Sequence, residues 1–233
     1  MAQLSEDVIP ELTELFKVKE GEISMNQVCT ALHKIGFDRV VTDGYAKRES
    51  AKKAAEIIEK KIGKNPVIIT DSHAVVNFVD RYFPGMKDMI DVYESAQTVF
   101  GKAAGEGNAF GFDKPVKTVN ITIVKEMGAE AKETGNVDYV WNARELYRVF
   151  LRTGGAPHRK GVTAFDTFTG TESSPVYPEL LGDKEWTLTQ DVEETAILVG
   201  GKPYKCAVAR NLGQVRKLLE GDYKKYDVIR LMA

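Results

Sequence analysis

The stretch Pro66-Val67-Ile68-Ile69-Thr70-Asp71-Ser72-His73-Ala74-Val75-Val76 constrains the fold more than any other part of the chain. Val67 to Ile69 form a short β-branched run entered through Asn65-Pro66, the pattern of a buried strand. Asp71 and Ser72 then supply two N-caps for a helix carrying Val75, Val76, Phe78 and Val79, which Pro84-Gly85 ends. A strand feeding directly into a capped helix places the turn between them at the carboxyl edge of a sheet, where open α/β folds keep their ligands. That turn offers a carboxylate, a hydroxyl and an imidazole in succession. Capping alone also accounts for Asp71 and Ser72, with His73 left exposed.

The rest of the chain repeats the alternation of strand and helix. Apolar spacing predicts helices over 5–16, 24–35, 48–62, 142–151 and 212–220, and short strands over 37–41, 117–124, 137–141 and 226–232. Residues 196–200 and 204–209 read as a hairpin around Gly201-Lys202 or as two successive strands. The glycine-rich loop at 105–111 carries no phosphate-cradling lysine pattern, and 153–185 reads as a long surface connection rich in Gly, Pro, Ser and Thr. Such alternation implies parallel sheets with right-handed crossovers. The expected fold is therefore α/β, with two lobes of mostly parallel sheet flanked by helices, at 1–115 and 116–233, and a cleft between them.

Composition narrows the function. Net charge is −2 over 233 residues, so no basic field points to nucleic acid or anionic membrane. No apolar run reaches the roughly 20 residues of a membrane span, and the acidic start lacks the order of a signal peptide, so a cytoplasmic protein is expected. Two cysteines, Cys29 and Cys206, exclude a disulfide framework. Cys29 and His33 share a helix face, but two soft ligands are too few for zinc, and Cys29 beside Val28, Ala31 and Leu32 reads as core. No metal or cofactor is expected there.

A series of local phrases resembles the catalytic domain of iron-only hydrogenases, from near the start to the last residue. Thr30-Ala31-Leu32-His33-Lys34-Ile35-Gly36-Phe37-Asp38 resembles that family's T-A-L-R-x-L-G-F-D, and Tyr82-Phe83-Pro84 its Y-Y-P. Gln97-Thr98-Val99-Phe100-Gly101 is similar to Q-x-x-F-G, and Asp138 through Leu146 to D-x-V-x-T-x-R-E-L. Tyr226-Asp227-Val228-Ile229-Arg230-Leu231-Met232-Ala233 is similar to Y-D-F-I-E-V-M-A. The resemblance implies the two-lobed hydrogenase fold.

It departs wherever the cofactor chemistry would be. The family's T-S-C-C-P supplies a proton-relay cysteine and a cluster ligand; here the place reads Thr70-Asp71-Ser72-His73-Ala74. Its M-P-C-x-x-K falls on Lys125-Glu126-Met127-Gly128-Ala129, with Glu126 in the cysteine position and Ala129 in the lysine position. Its acidic proton relay falls near Lys52 and Ala55, its final C-x-G-G-C would follow Ala233, and its strand ahead of Met1-Ala2 is expected to be missing. A cubane cluster takes four thiolates, and one histidine with one glutamate does not replace them. The resemblance thus implies a shortened paralogue without cluster cysteines, its former cluster cleft marked by Asp71, Ser72, His73, Glu126 and Gln97, with no catalytic residue and no cofactor.

Three functions follow as expectations. The first is a non-catalytic subunit that docks with redox subunits of a hydrogenase or electron-transfer complex, or with a cluster-bearing paralogue, through surfaces such as Phe165, Phe168 and Tyr177. The second is a repurposed cleft in which Asp71, His73 and Glu126 hold a divalent metal or act as acid and base. The third is a regulator that binds a small molecule in the emptied cleft.

Overall fold

The computed structural model describes residues 1–63, 66–105, 114, 116–159, 161–162, 164–166 and 191–232. These divide into two compact units, Met1–Ala46 with Ala96–Glu172 and Lys47–Ser95 with Ser173–Ala233. The units are therefore not the two halves of the chain. Each takes strands from both sides of residue 115, because sheet pairing joins segments far apart in sequence.

The first unit is built on a four-stranded, all-parallel sheet of β1 (Ala2–Leu4), β2 (Val40–Thr42), β5 (Val119–Ile121) and β6 (Tyr139–Trp141), in the order β2-β1-β5-β6. The first strand, β1, is one that the sequence pattern does not reveal. β1 is wholly buried and pairs on both sides, while the Met1 ammonium donates to the Lys117 carbonyl at 2.8 Å. Ala2 and Leu4 face α1 (Val8–Phe16), α2 (Met25–Lys34) and α7 (Ala143–Thr153), whose Leu12, Val28, Leu32, Leu146 and Phe150 complete one core. The opposite side carries α5 (Ala96–Gly105) and a second core around Met1, Val41, Val99 and Phe100. Both faces are covered, so β5 is buried at all three positions, and Asn120 is inside rather than on a solvated face. α6 (Glu126–Thr134), which the sequence pattern does not reveal, follows β5.

The second unit holds a five-stranded sheet of β3 (Val67–Thr70), β4 (Ile90–Val92), β7 (Glu193–Val199), β8 (Lys202–Ala209) and β9 (Val228–Leu231), ordered β4-β3-β9-β8-β7. Among these strands only β7 and β8 pair antiparallel. They form a hairpin whose turn residues Gly200 and Gly201 sit at φ 57° and 77°, the double positive φ that a tight hairpin turn demands and glycine tolerates. α3 (Gly44–Lys61) covers one face through Ala51, Ala54 and Ile58. The other face is covered by α4 (His73–Tyr82) and α8 (Leu212–Glu220). The closing strand β9 is central, held between β3 and β8.

Several retained phrases are explained by backbone bracing. Ahead of β6, Asp138 accepts from the Thr118 N–H at 2.8 Å, while its own N–H donates to Thr118 Oγ1 at 3.0 Å. Ahead of β9, Asp227 repeats the device: its Oδ2 accepts from the Lys205 N–H at 2.8 Å and its N–H donates to the Lys205 carbonyl at 2.9 Å. A third aspartate, Asp166, accepts from the Val40 N–H at 2.8 Å and returns its N–H to the Val40 carbonyl at 3.0 Å, covering part of the β2 edge. Each aspartate fixes where pairing begins.

Of the 153–185 connection, the structure describes a 3₁₀ turn at Pro157–Arg159 and residues 164–166, where Phe165 packs on the first unit's core. Phe168, Tyr177 and most of the 105–111 loop lie outside the described residues. No described helix is long and apolar enough to cross a membrane.

Candidate functional site

The turn that follows β3 stands at the switch point of its sheet, since the chain leaves β3 for β4 on one side while β9 flanks it on the other. Thr70 Oγ1 donates to the Leu231 carbonyl at 2.8 Å and accepts from the Ser72 N–H at 3.1 Å, tying the ends of β3 and β9 together. Ser72 caps α4 by accepting from the Val75 N–H at 3.3 Å, and His73 is the first residue of that helix. The β-branched run and the cap thus do locally what the sequence predicts.

Of the two N-cap candidates Ser72 takes the role, and Asp71 does not cap. Partly covered as a residue, it buries its carboxyl group, which lies beside Arg230 of β9 and Tyr93, the residue after β4. Arg230 and Tyr93 are each 6% exposed. Burial pushes the Asp71 carboxyl above the usual carboxylate range, opposed by the Arg230 charge, by its own backbone N–H and, at longer range, by the Tyr93 hydroxyl. Burial likewise drives the Tyr93 phenol upward, so it stays protonated. For Arg230, burial would favour losing the proton, but Tyr93 and Asp71 outweigh it and hold the guanidinium charged. Three strand ends of one sheet therefore meet in a single buried polar cluster. The Arg230 charge offsets part of the cost of burying the Asp71 carboxyl.

Glu126 and Gln97 belong to the first unit and have different surroundings. Glu126 is exposed at the first position of α6, where a carboxylate favours the positive end of the helix. Gln97 is fully buried and engaged on both ends of its amide. Its Oε1 accepts from Asn120 Nδ2 at 2.9 Å, and its Nε2 donates to the Met127 carbonyl at 3.0 Å and Asn136 Oδ1 at 3.3 Å. Asn136 continues the chain to Glu130 Oε1 at 2.8 Å, which also accepts from Thr98 Oγ1 at 3.0 Å. Four residues on, a Cβ added at Gly101 would lie 1.8 Å from the Asn136 carbonyl oxygen, so only glycine fits. The Gln97–Gly101 phrase is scaffold in this chain: an amide brace, a buried Phe100 and a close backbone approach.

Cys29 and Cys206 are both buried. Burial and the Asp166 charge push the Cys29 thiol up to about 11, and its Sγ points to the Ala164 carbonyl at 3.7 Å. His33 is occupied as well, its Nδ1 2.8 Å from the Phe37 carbonyl oxygen and its Nε2 3.4 Å from Asp166. Among the described residues no group of three or more His, Cys, Asp or Glu side chains is arranged to hold a metal ion. In the second reading Asp71 would be a metal ligand; its carboxyl is buried in the second unit near the Arg230 charge, while Glu126 is an exposed residue of the first.

Arg230 and Tyr93 are the site residues that sequence reasoning missed. The signal existed in paired form: the phrase with an acid where the family has serine, at Asp71, is matched by a base where it has glutamate, at Arg230. Two departures of opposite charge are what a buried pair leaves in a sequence.

Two mostly parallel sheets with helices on both faces define the class as an open-sheet α/β protein. The chain belongs to the family described as iron only hydrogenase large subunit, C-terminal domain, which matches residues 1–233. Its fold is similar to that of a variant of apo [FeFe]-hydrogenase HydA1 from Chlamydomonas reinhardtii, with a TM-score of 0.79 at 14% identity over 100% of this chain and 76% of that one. A second variant of the same enzyme gives a TM-score of 0.78 at 14% identity, with the same coverage of both chains. A HydA(deltaEFG) structure described as revealing stepwise H-cluster assembly gives 0.73 at 15%, again over 100% and 76%. No curated protein matches the chain in sequence. At such identities the likeness establishes the fold.

A cluster of the family's kind does not fit the residues present. The positions of its cysteines within 70–76 and 125–129 hold Ser72, His73 and Glu126, and the two thiols of the chain are buried in the cores of separate units.

Proposed function

We propose that this protein is a non-catalytic member of the iron-only hydrogenase family, retained for its shape and serving as a structural or regulatory partner in a multisubunit oxidoreductase complex in the cytoplasm. The observation that carries the reading is the buried Asp71–Tyr93–Arg230 cluster at the switch point of the second sheet. A fold that had merely lost its cofactor would have no reason to bury a carboxyl and a guanidinium near each other there. A fold selected to stay rigid without the cofactor would. The partner class is a redox subunit or a cluster-bearing paralogue.

Affinity purification of the tagged full chain from its native host, followed by light scattering and subunit identification, tests this. Co-purification of an oxidoreductase subunit at fixed stoichiometry is the expected result. A monomer in the native extract, with no such subunit, contradicts it.

A further inference from the structure

The outer face of α7 carries a feature that neither the fold nor the cluster position uses. Ala143, Leu146 and Phe150 point inward, and Tyr147 stacks edge-on against Phe16 at 4.8 Å, so the orientation of the helix is fixed. Arg144, Arg148 and Arg152 fall at i, i+4 and i+8, a straight ridge on the other side, and all three are exposed. Leu151, at i+7, lies in the same ridge and is 58% exposed.

This arrangement opposes helix stability. Like charges four apart repel, and Arg144 stands in the first turn, at the positive end of the helix dipole. The only acid in the helix, Glu145, is taken by the capping box, where it accepts from the Asn142 N–H at 2.9 Å. Arg144 has a 3.7 Å contact with Glu11, while Arg148 and Arg152 make no ion pair among the described residues. In a chain of net charge −2, three arginines have been gathered on one line around an exposed leucine.

We propose that the α7 ridge is a docking surface for an acidic face of a partner protein, with the aliphatic Leu151 at its centre and Arg148 and Arg152 as its charged rim. The inference rests on the proposed role in an assembly and names the surface that role uses. Arginines flanking an apolar anchor are the composition of a protein interface, the anchor supplying burial and the arginines bidentate pairs to carboxylates. A nucleic acid fits less well, because Glu11 and Glu145 sit at one end of the ridge and Leu151 offers nothing to a phosphate backbone.

The test places a photo-crosslinking residue at position 151 of the full chain in its native host, with the exposed Leu198 as the control position. Expected is one discrete protein adduct from 151 and not from 198, its crosslinked peptide rich in Asp and Glu. The adduct should fall at least tenfold in Arg148→Glu/Arg152→Glu, whose melting temperature should be no lower than that of wild type, and return when two acids of the crosslinked peptide are changed to lysine. An intact native complex in the double variant overturns the ridge while leaving the subunit role standing. Absence of any complex with wild type overturns both. An adduct to nucleic acid, or a peptide without acidic character, overturns the ridge as an acidic-protein surface.

Discussion

The two places where the family's cluster phrases fall have been rebuilt in opposite ways. In the second unit the strand end at Thr70-Asp71 is buried, and its polar groups turn inward to Leu231, Tyr93 and Arg230. In the first unit the corresponding position, Glu126, is an exposed residue at a helix start, open to water. The difference follows from dielectric. A ligand lost from a surface is replaced by water at no cost, whereas polar atoms stranded at a buried strand end must find partners within the protein. Only the buried place required a second, compensating substitution, and that is where one is found.

The largest expected effects test the buried side. Arg230→Met should lose about 3–5 kcal/mol by leaving the Asp71 carboxylate buried without its cation. Asp71→Asn should be nearly as costly, and the double variant should recover at least half of the summed loss in urea unfolding. Additive losses would break the comparison, since they would mean that the two residues do not depend on each other.

Gly101→Ala comes next, at about 1–3 kcal/mol or more, because the added carbon meets the Asn136 carbonyl rather than a side chain that can turn aside. Gln97→Ala should cost about 1–3 kcal/mol by orphaning the buried Asn120 amide. Together these gauge the scaffold phrases that contain no cluster chemistry.

The pH dependence sharpens the same contrast. The folded pKa of Asp71 lies above its unfolded value, so its contribution is fully present below the unfolded carboxylate range and is lost as pH rises through the folded value. In Arg230→Met the opposing guanidinium is gone and the upward shift grows. The unfolded carboxylate is the same in both proteins, so the deficit of that variant against wild type should shrink as pH falls from about 7 toward about 4, through the raised folded values. A deficit unchanged from pH 4 to pH 7 would show that the lost stability is not electrostatic. The smallest effect belongs to the open side: Glu126→Ala should shift stability by no more than about 1 kcal/mol.

How far the sequence reveals this molecule depends on whether the controlling interaction is local. The β3 strand, the Ser72 cap, the capping boxes of α2 and α7 and the glycine hairpin all follow from neighbouring residues, and all are legible. The three-residue strands β1 and β4 are not, because such short runs carry no periodicity, and their burial comes from being paired on a covered sheet. The strand over 117–124 is legible, but the cover on both of its faces is not, since α5 brings Gln97 onto Asn120 from a distant segment. The division into units is equally hidden, since β3 pairs with a strand whose Leu231 is 161 residues beyond Thr70. Of the candidate site, the turn and its cap are readable and the Arg230 partnership is not.

The central claim is that the residues at the family's cluster phrases, Ser72, His73 and Glu126, do not hold a cluster. Its most direct test is anaerobic reconstitution of the full chain with iron and sulfide, followed by gel filtration and assay of bound iron and acid-labile sulfide. Iron and sulfide far below one cubane per chain, with no dihydrogen evolved or consumed, is the predicted result. A stoichiometric cluster that survives filtration in wild type and is lost in His73→Ala/Glu126→Ala would contradict it.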